Sequence, residues 1–456
     1  MQHNFTIINP YNNAVLDVVH YDHYDQVERK IARLKEGKHH QKALPAFKRA
    51  DILFKLAGLL EERQEELAQI ITQEMGKTIN DSRGELIRAI NTIWLSGEEA
   101  RRLDGEVLDV DAFGPARHKM GIVCRRPAGI ILCITPFNFP VNLAVHKIGP
   151  AFAVGNTILL KPNEQTYLST LKLVELCYEA GIPEDMLQMT LPHIEVMPQL
   201  NAHPEIDIIS FTGGTKTASA IAKDSGSKKL LLELGGNDPL IVMPDADISL
   251  AVKTAIQHRF GVAGQRCTAS KRLFLHAEIY DAFREALIAQ TKALKIGDPM
   301  QEETFIGPVV SEKAADMTLK AIEIALSEGA TLTVGNKREG NIISPTILEN
   351  IHQNHTLMRE EIFGPVLPLY KFESFDEIIP VINQSPYGLQ AGLFSNQLDL
   401  IKKAFNMLEV GSLIINDGPG FRADHLPFGG VKQSGLGREG VKYTIREMSI
   451  LKTLIF

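Results

Sequence analysis

Cysteine is scarce in this chain: Cys124, Cys133, Cys177 and Cys267 are the only four among 456 residues. Cysteines so widely spread supply neither a zinc ligand set nor a disulfide scaffold, so reduced thiols in a cytoplasm, with no bound metal, are the expectation. Positive charge is also short. Lys and Arg number 48 against 55 Asp and Glu, a net charge of -7 that speaks against nucleic acid or a membrane surface as the main partner. No stretch approaches the roughly 18 unbroken apolar residues of a membrane span. Residues 1–10 lack a basic start followed by an apolar run, so no signal peptide is predicted. Residues 38–42 hold two adjacent histidines, which lack the i, i+4 spacing that aims two rings at one ion; an exposed polar turn is expected there.

What is present is an ordinary globular composition, 44% hydrophobic and 23% charged, long enough for two or three domains. The chain opens with a predicted strand, turn and strand over 6–17. Helical spacing follows over 44–73, ended by Gly76, and again over 82–102, which carries Arg88. A hairpin is predicted over 109–128. The apolar run 129–134 reads as a strand buried on both faces of a parallel sheet. Residues 151–154 with 157–160, then 206–211, then 230–234, read as further strands, and a helix is predicted over 216–223. Beyond Cys267 come a strand over 272–276, helices over 280–294 and 311–328, and strands at 331–334 and 411–416. Glu361 and Phe363, two apart on a predicted strand, would share a face. The glycine-rich stretch 427–439 suggests a loop packed against a ligand, and 448–456 an exposed apolar edge that invites a partner subunit.

Several residues carry chemistry by type and place. Cys267 follows Arg266, and a nearby cation favours the nucleophilic thiolate; a lone cysteine is otherwise a small buried hydrophobe. Glu233 sits between apolar residues, where a raised pKa suits a general base. Asn138 lies just past a strand's carboxyl end, placed either to donate to an oxyanion or to bond its own turn. Lys161 and Glu164 offer contacts to ribose hydroxyls, or form a surface ion pair. A carboxylate there repels a 2′-phosphate and so argues for NAD over NADP. Gly213 and Gly214 at a helix start allow close approach to phosphate.

Taken together, the segments 135–140, 161–164, 211–215, 233–236, 264–267, 361–365 and 427–439 resemble the aldehyde dehydrogenase superfamily, in that family's order and over essentially the full length. The resemblance implies an α/β fold: a Rossmann-like NAD-binding domain over 1–108 and 129–233, and an α/β catalytic domain over 234–426. It further implies a loop over 427–439 that returns to the cofactor domain, and a β-strand oligomerisation extension from 109–128 and 440–456. It implies Cys267 as nucleophile, Asn138 in the oxyanion hole and Glu233 as the base for the hydrolytic water. Thr135, Pro136, Phe137, Lys161, Glu164, Gly213, Gly214, Thr215, Leu234, Glu361 and Phe363 would contact the cofactor. Arg88, Arg266, Thr268, Arg422 and Phe428 would border the substrate tunnel. Gly214 stands where many members carry serine, Ala218 where glycine is common, and Phe137 where tryptophan is frequent.

Three arginines in one pocket favour an anionic aldehyde, because guanidinium binds phosphate or carboxylate in a bidentate way. The pattern is similar to phosphonoacetaldehyde and non-phosphorylating glyceraldehyde-3-phosphate dehydrogenases, and Glu164 tilts it to the NAD-using, phosphonoacetaldehyde-like side. The C-terminal stretch also resembles lactaldehyde dehydrogenases, whose substrate is uncharged. A coenzyme A-acylating enzyme and a non-catalytic protein of the same fold are the alternatives. A homodimer or homotetramer acting on a small aldehyde is expected.

Overall fold

The computed structural model describes residues 4–41 and 44–456; residues 1–3 and 42–43, and the parts of the readings over 1–10 and 38–42 that fall on them, lie outside the described residues. Alternating strands and helices build two sheets. The first runs in the order Gly435–Leu436, Lys229–Glu233, Ile206–Thr212, Ile130–Ile134, Thr157–Lys161, Leu187–Met189, parallel except for the edge strand Gly435–Leu436. Its central strand Ile130–Ile134 is buried throughout, as the continuous apolar run requires. Side chains alternate between faces. Ile131 and Cys133 join the core formed with the helices Ala46–Glu62, Ile79–Ala100, Pro140–Val154 and Tyr167–Ala180, while Ile130, Leu132 and Ile134 join the core on the opposite face. Each fully buried Ile or Leu here contributes about 1.5–3 kcal/mol.

The second sheet has the order Thr331–Val334, Thr346–Glu349, Val366–Phe372, Arg272–His276, Pro239–Val242, Gln390–Phe394, Ser412–Ile415, parallel but for its first strand. A third, antiparallel sheet joins Ser449–Ile455, Met120–Pro127 and Gly105–Asp109. No helix among the described residues is long and apolar enough to cross a membrane.

The structure corrects several expected boundaries. The helical stretch 44–73 is two helices, Ala46–Glu62 and Gln64–Met75, because Arg63 leaves helical geometry at φ -104, ψ 15. Gly76 ends the second with φ 84, which glycine adopts without steric cost. Residues 151–154 close the helix Pro140–Val154 instead of opening a strand. Glu361 and Phe363 lie in an irregular segment ahead of the strand Val366–Phe372. The third sheet takes in Gly105–Asp109, which the expected domain boundary at 108 divides. Residues Val441–Glu447 form a helix whose Val441 and Ile445 belong to the first core, so only Ser449–Ile455 extends outward from the C-terminal stretch.

Candidate active site

The strands Ile130–Ile134, Thr157–Lys161, Ile206–Thr212 and Lys229–Glu233 end at one edge of the first sheet, the place where open α/β sheets bind ligands. There a cleft of about 470 Å³ is lined by Pro136, Phe137, Asn138, Gly213, Gly214, Thr215, Glu233 and Leu234 on the sheet side. Arg88, Arg266, Cys267, Thr268, Glu361, Phe363, Arg422 and Phe428 face them. Thr135, Lys161 and Glu164 are absent from this lining. They stand at the same edge, where Thr135 N donates to Lys161 O at 3.1 Å and Lys161 pairs with Glu164 at 3.2 Å.

Cys267 is delivered by a backbone under strain. Val262, Ala263 and Gly264 all hold positive φ (55°, 51° and 74°), and a side chain at Gly264 would strike the Gly364 carbonyl. A β-branched residue in this region costs about 1–3 kcal/mol, and such outliers gather at active sites. The Cys267 thiol is pushed well above its ordinary value, by burial first and then by the Glu233 carboxylate; Lys271 opposes this. The sequence assigned that opposing role to Arg266. In the structure Lys271 joins Arg266 in opposing the shift, and desolvation outweighs both.

Glu233 ends the strand Lys229–Glu233 and is 4% exposed, with Oε1 lacking any hydrogen-bond partner. Burial, then the charge of Glu439, raises it to about 8, against the pull of Arg422, its hydrogen-bonding interaction with Cys267, and Lys147. Burial also pushes Glu439 upward, but Lys147, Arg422 and His146 together overcome this and hold it down. Asn138 Nδ2 donates to Gln265 O at 3.0 Å, which leaves the second N–H of that amide for a ligand. Its backbone carbonyl accepts from Lys77 Nζ at 3.1 Å. Lys77 in turn pairs with Glu85, whose Oε1 caps the helix Pro140–Val154 by accepting from Val141 N and Asn142 N at 2.8 Å each. This buried pair fixes the Asn138 loop to the helix behind it.

The three arginines differ in how they are held. Arg88 Nη2 donates to Asp424 Oδ1 at 2.6 Å, and Arg422 Nη2 donates to Glu439 Oε2 at 2.9 Å. Burial pushes Asp424 up, but His146 and Arg88 more than reverse this, holding it well below the usual carboxylate range. The Arg266 side chain makes no ion pair or hydrogen bond with any described residue, its Cζ standing 5.8 Å from the Phe139 ring centre. It is the one guanidinium of the three without a bound acid.

The sheet edge also fits a dinucleotide. The helix Thr215–Asp224 starts at Gly214, so its free N–H groups face the cleft, and Thr212 Oγ1 and Thr135 Oγ1 are buried without partners. A side chain at Gly213 would meet the Phe211 ring at 2.5 Å, while one at Gly214 would meet nothing within 4 Å. The serine common at the latter position is therefore allowed by space, and its loss leaves the backbone donors in place. Glu361 accepts from Gly236 N at 3.2 Å and pairs with Lys271 at 2.8 Å; Phe363 packs edge-on against Phe137 at 5.9 Å. No described cluster of three or more His, Cys, Asp or Glu is arranged to hold a metal ion.

Sequence reasoning missed His146, Lys147, Lys271, Asp424 and the Lys77–Glu85 pair. One signal was available: the helix Pro140–Val154 is apolar and wholly buried, yet it carries His146 and Lys147 side by side. Ionisable groups in such a helix need partners, and the partners here are Asp424 and Glu439.

Three comparisons bear on this arrangement. The chain is 55% identical over 455 residues to a sulfoacetaldehyde dehydrogenase of Neptuniibacter caesariensis, covering 100% of both chains. It is 40% identical over 444 residues to a 3-sulfolactaldehyde dehydrogenase of Priestia aryabhattai, covering 97% of this chain and 93% of that one. The crystal structure of the glyceraldehyde-3-phosphate dehydrogenase GapN from Methanocaldococcus jannaschii, complexed with NADP, superposes with a TM-score of 0.95 at 36% identity, covering 100% and 99%. With residues 1–454 matching the aldehyde dehydrogenase family profile, the chain belongs to the aldehyde dehydrogenase family and is an NAD(P)-dependent aldehyde dehydrogenase.

Proposed function

We propose that the protein oxidises a small aldehyde bearing an anionic head group to its carboxylate, with Cys267, Glu233 and Asn138 as the reacting and stabilising groups. The observation that carries the substrate class is Arg266, a guanidinium open to the cleft, next in sequence to the nucleophile and without an acid of its own. The relatives named for sulfonated aldehydes support the anionic class. The named sulfonate relatives do not single out a phosphonate, a phosphate-bearing aldehyde being named for the GapN structure at 36% identity, and an uncharged lactaldehyde would leave the half-buried Arg266 without a counter-ion.

Cys267 Sγ attacks the aldehyde carbon as its thiol proton is given up to solvent water. The carbonyl oxygen becomes an anion held by the free Asn138 N–H and the Cys267 backbone N–H. When bound, the dinucleotide supplies the two-electron oxidant, accepting hydride from that carbon. Loss of hydride leaves a thioester on Cys267. Glu233, once deprotonated, takes a proton from the attacking water. Collapse then breaks the C–S bond, releasing the carboxylate and the sulfur. A buried carboxyl placed for this step favours water over coenzyme A as acceptor, and intact Cys267 and Glu233 set aside the non-catalytic alternative.

For Arg266→Ala, the KM for sulfoacetaldehyde rises roughly 10- to 100-fold, the loss of about 1.5–3 kcal/mol from a charged hydrogen-bonding group. The KM for propanal rises far less. Equal changes for both aldehydes would remove the charge argument.

The cofactor reading is NAD over NADP, supported by the Glu164 carboxylate beside Lys161 at the sheet edge. Glu164→Thr then shifts the NADP to NAD ratio of kcat/KM upward on the order of tenfold, as one repelling charge is removed. An unmoved ratio rules out Glu164 as the discriminator. For assembly, the exposed strand Ser449–Ile455, with Ile450, Leu451, Leu454 and Ile455 more than half exposed, supports pairing with a second copy in a dimer or tetramer.

A further inference from the structure

The charges around the substrate end of the cleft can be counted. Arg88, Arg422 and Lys147 are the cations, and Asp424, Glu439 and the base form of Glu233 are the acids. Arg88 meets Asp424 at 2.6 Å, Arg422 meets Glu439 at 2.9 Å, Lys147 meets Glu439 at 3.4 Å, and Arg422 Nε stands 3.8 Å from Asp424. His146 and His258 add nothing, since burial, then Arg422 and Arg266 respectively, lower both to about 4. These groups balance. Asp81 acts on Arg266 from beyond ion-pair distance. Its own charge is met by the Thr78 hydroxyl at 2.9 Å, by Val262 N at 3.3 Å and by the start of the helix Ile79–Ala100. Among these described cations, Arg266 is thus the one with no carboxylate within ion-pair distance when the base is competent.

We propose that the cleft is matched to a head group with one negative charge, such as a sulfonate, and discriminates against a dianionic phosphonate, with Asp424 setting the count. This rests on the reading of the cleft as an anionic-aldehyde site. A monoanion neutralises Arg266. A dianion brings a second negative charge beside Asp424, Glu439 and Glu233 with no further unpaired cation to meet it, which disfavours its binding. Arg88 and Arg422 both line the cleft, and their pairing with Asp424 and Glu439 lets them bond head-group oxygens without adding net charge. Asp424 touches Arg88 and His146 and lies at the side of Arg422, so it acts through the arginines as a positioning residue.

The test compares kcat/KM for sulfoacetaldehyde and phosphonoacetaldehyde from about pH 5.5 to about pH 8.5. The second ionisation of a phosphonate falls near neutrality, a little above the roughly 6 of a phosphate ester. Taking the ratio of the two substrates cancels protein titrations common to both. The sulfonate-to-phosphonate ratio should climb about tenfold or more as the phosphonate becomes a dianion. A flat or falling ratio overturns the proposal. At the upper pH, Asp424→Asn should lower that ratio about tenfold and Asp424→Glu should restore it, a within-variant comparison that a loss of folded enzyme does not move. An unchanged ratio in Asp424→Asn also overturns it. If neither anion outperforms propanal, the anionic-aldehyde reading itself falls; if both do and the ratio stays flat, only the charge count falls.

Discussion

Cys267→Ala abolishes NADH production from every aldehyde tested, a loss of at least about a thousandfold, or about 4 kcal/mol or more in the barrier. The size of the effect follows from the absence of a substitute. Cys133 and Cys177 are fully buried, and burial pushes the Cys133 thiol up to about 12 and the Cys177 thiol higher still. Cys124 lies in the outer strand Met120–Pro127, paired there with Lys452. Only Cys267 stands in the cleft, on a turn whose left-handed Val262 and Ala263 are worth their strain if the sulfur must point there. A variant that keeps more than trace turnover would mean that the oxidation does not pass through this sulfur.

Glu233→Gln separates the two halves of the reaction. Acylation produces a burst of NADH near one equivalent per active site, and the steady rate afterwards falls on the order of 100- to 1000-fold, within the usual range for a lost general base. The pH dependence carries the same signature. Glu233 is raised to about 8 in the folded protein and works as a base only when deprotonated. Wild-type turnover therefore rises with pH up to about 8 and levels above it, and loses activity as the carboxyl protonates below. The variant loses that rising limb. An unchanged steady rate, or an unchanged limb, contradicts the role.

The parts legible in the sequence are those where one local pattern sets position. The run 129–134 had to be a buried strand, and whatever followed it had to sit at the sheet edge; Asn138 does. The same logic placed Glu233 and the glycines before the helix Thr215–Asp224. Charge pairing was not legible. Arg88 and Asp424 are 336 positions apart, and nothing in either neighbourhood announces the other. The three-arginine pocket was thus read without its acids, and only the structure leaves Arg266 alone as the open cation. Glu361 and Phe363 reached the cleft from an irregular segment because their position depends on Lys271, Gly236 and Phe137, which are distant along the chain.

The most direct measurement uses Glu233→Gln mixed with NAD and a small anionic aldehyde, quenched in acid after the burst and read by intact and fragment mass. The expected product is one acyl adduct per chain, carried as a thioester on Cys267 and appearing in step with the NADH burst. An NADH burst without an adduct, or an adduct on any other residue, would contradict it.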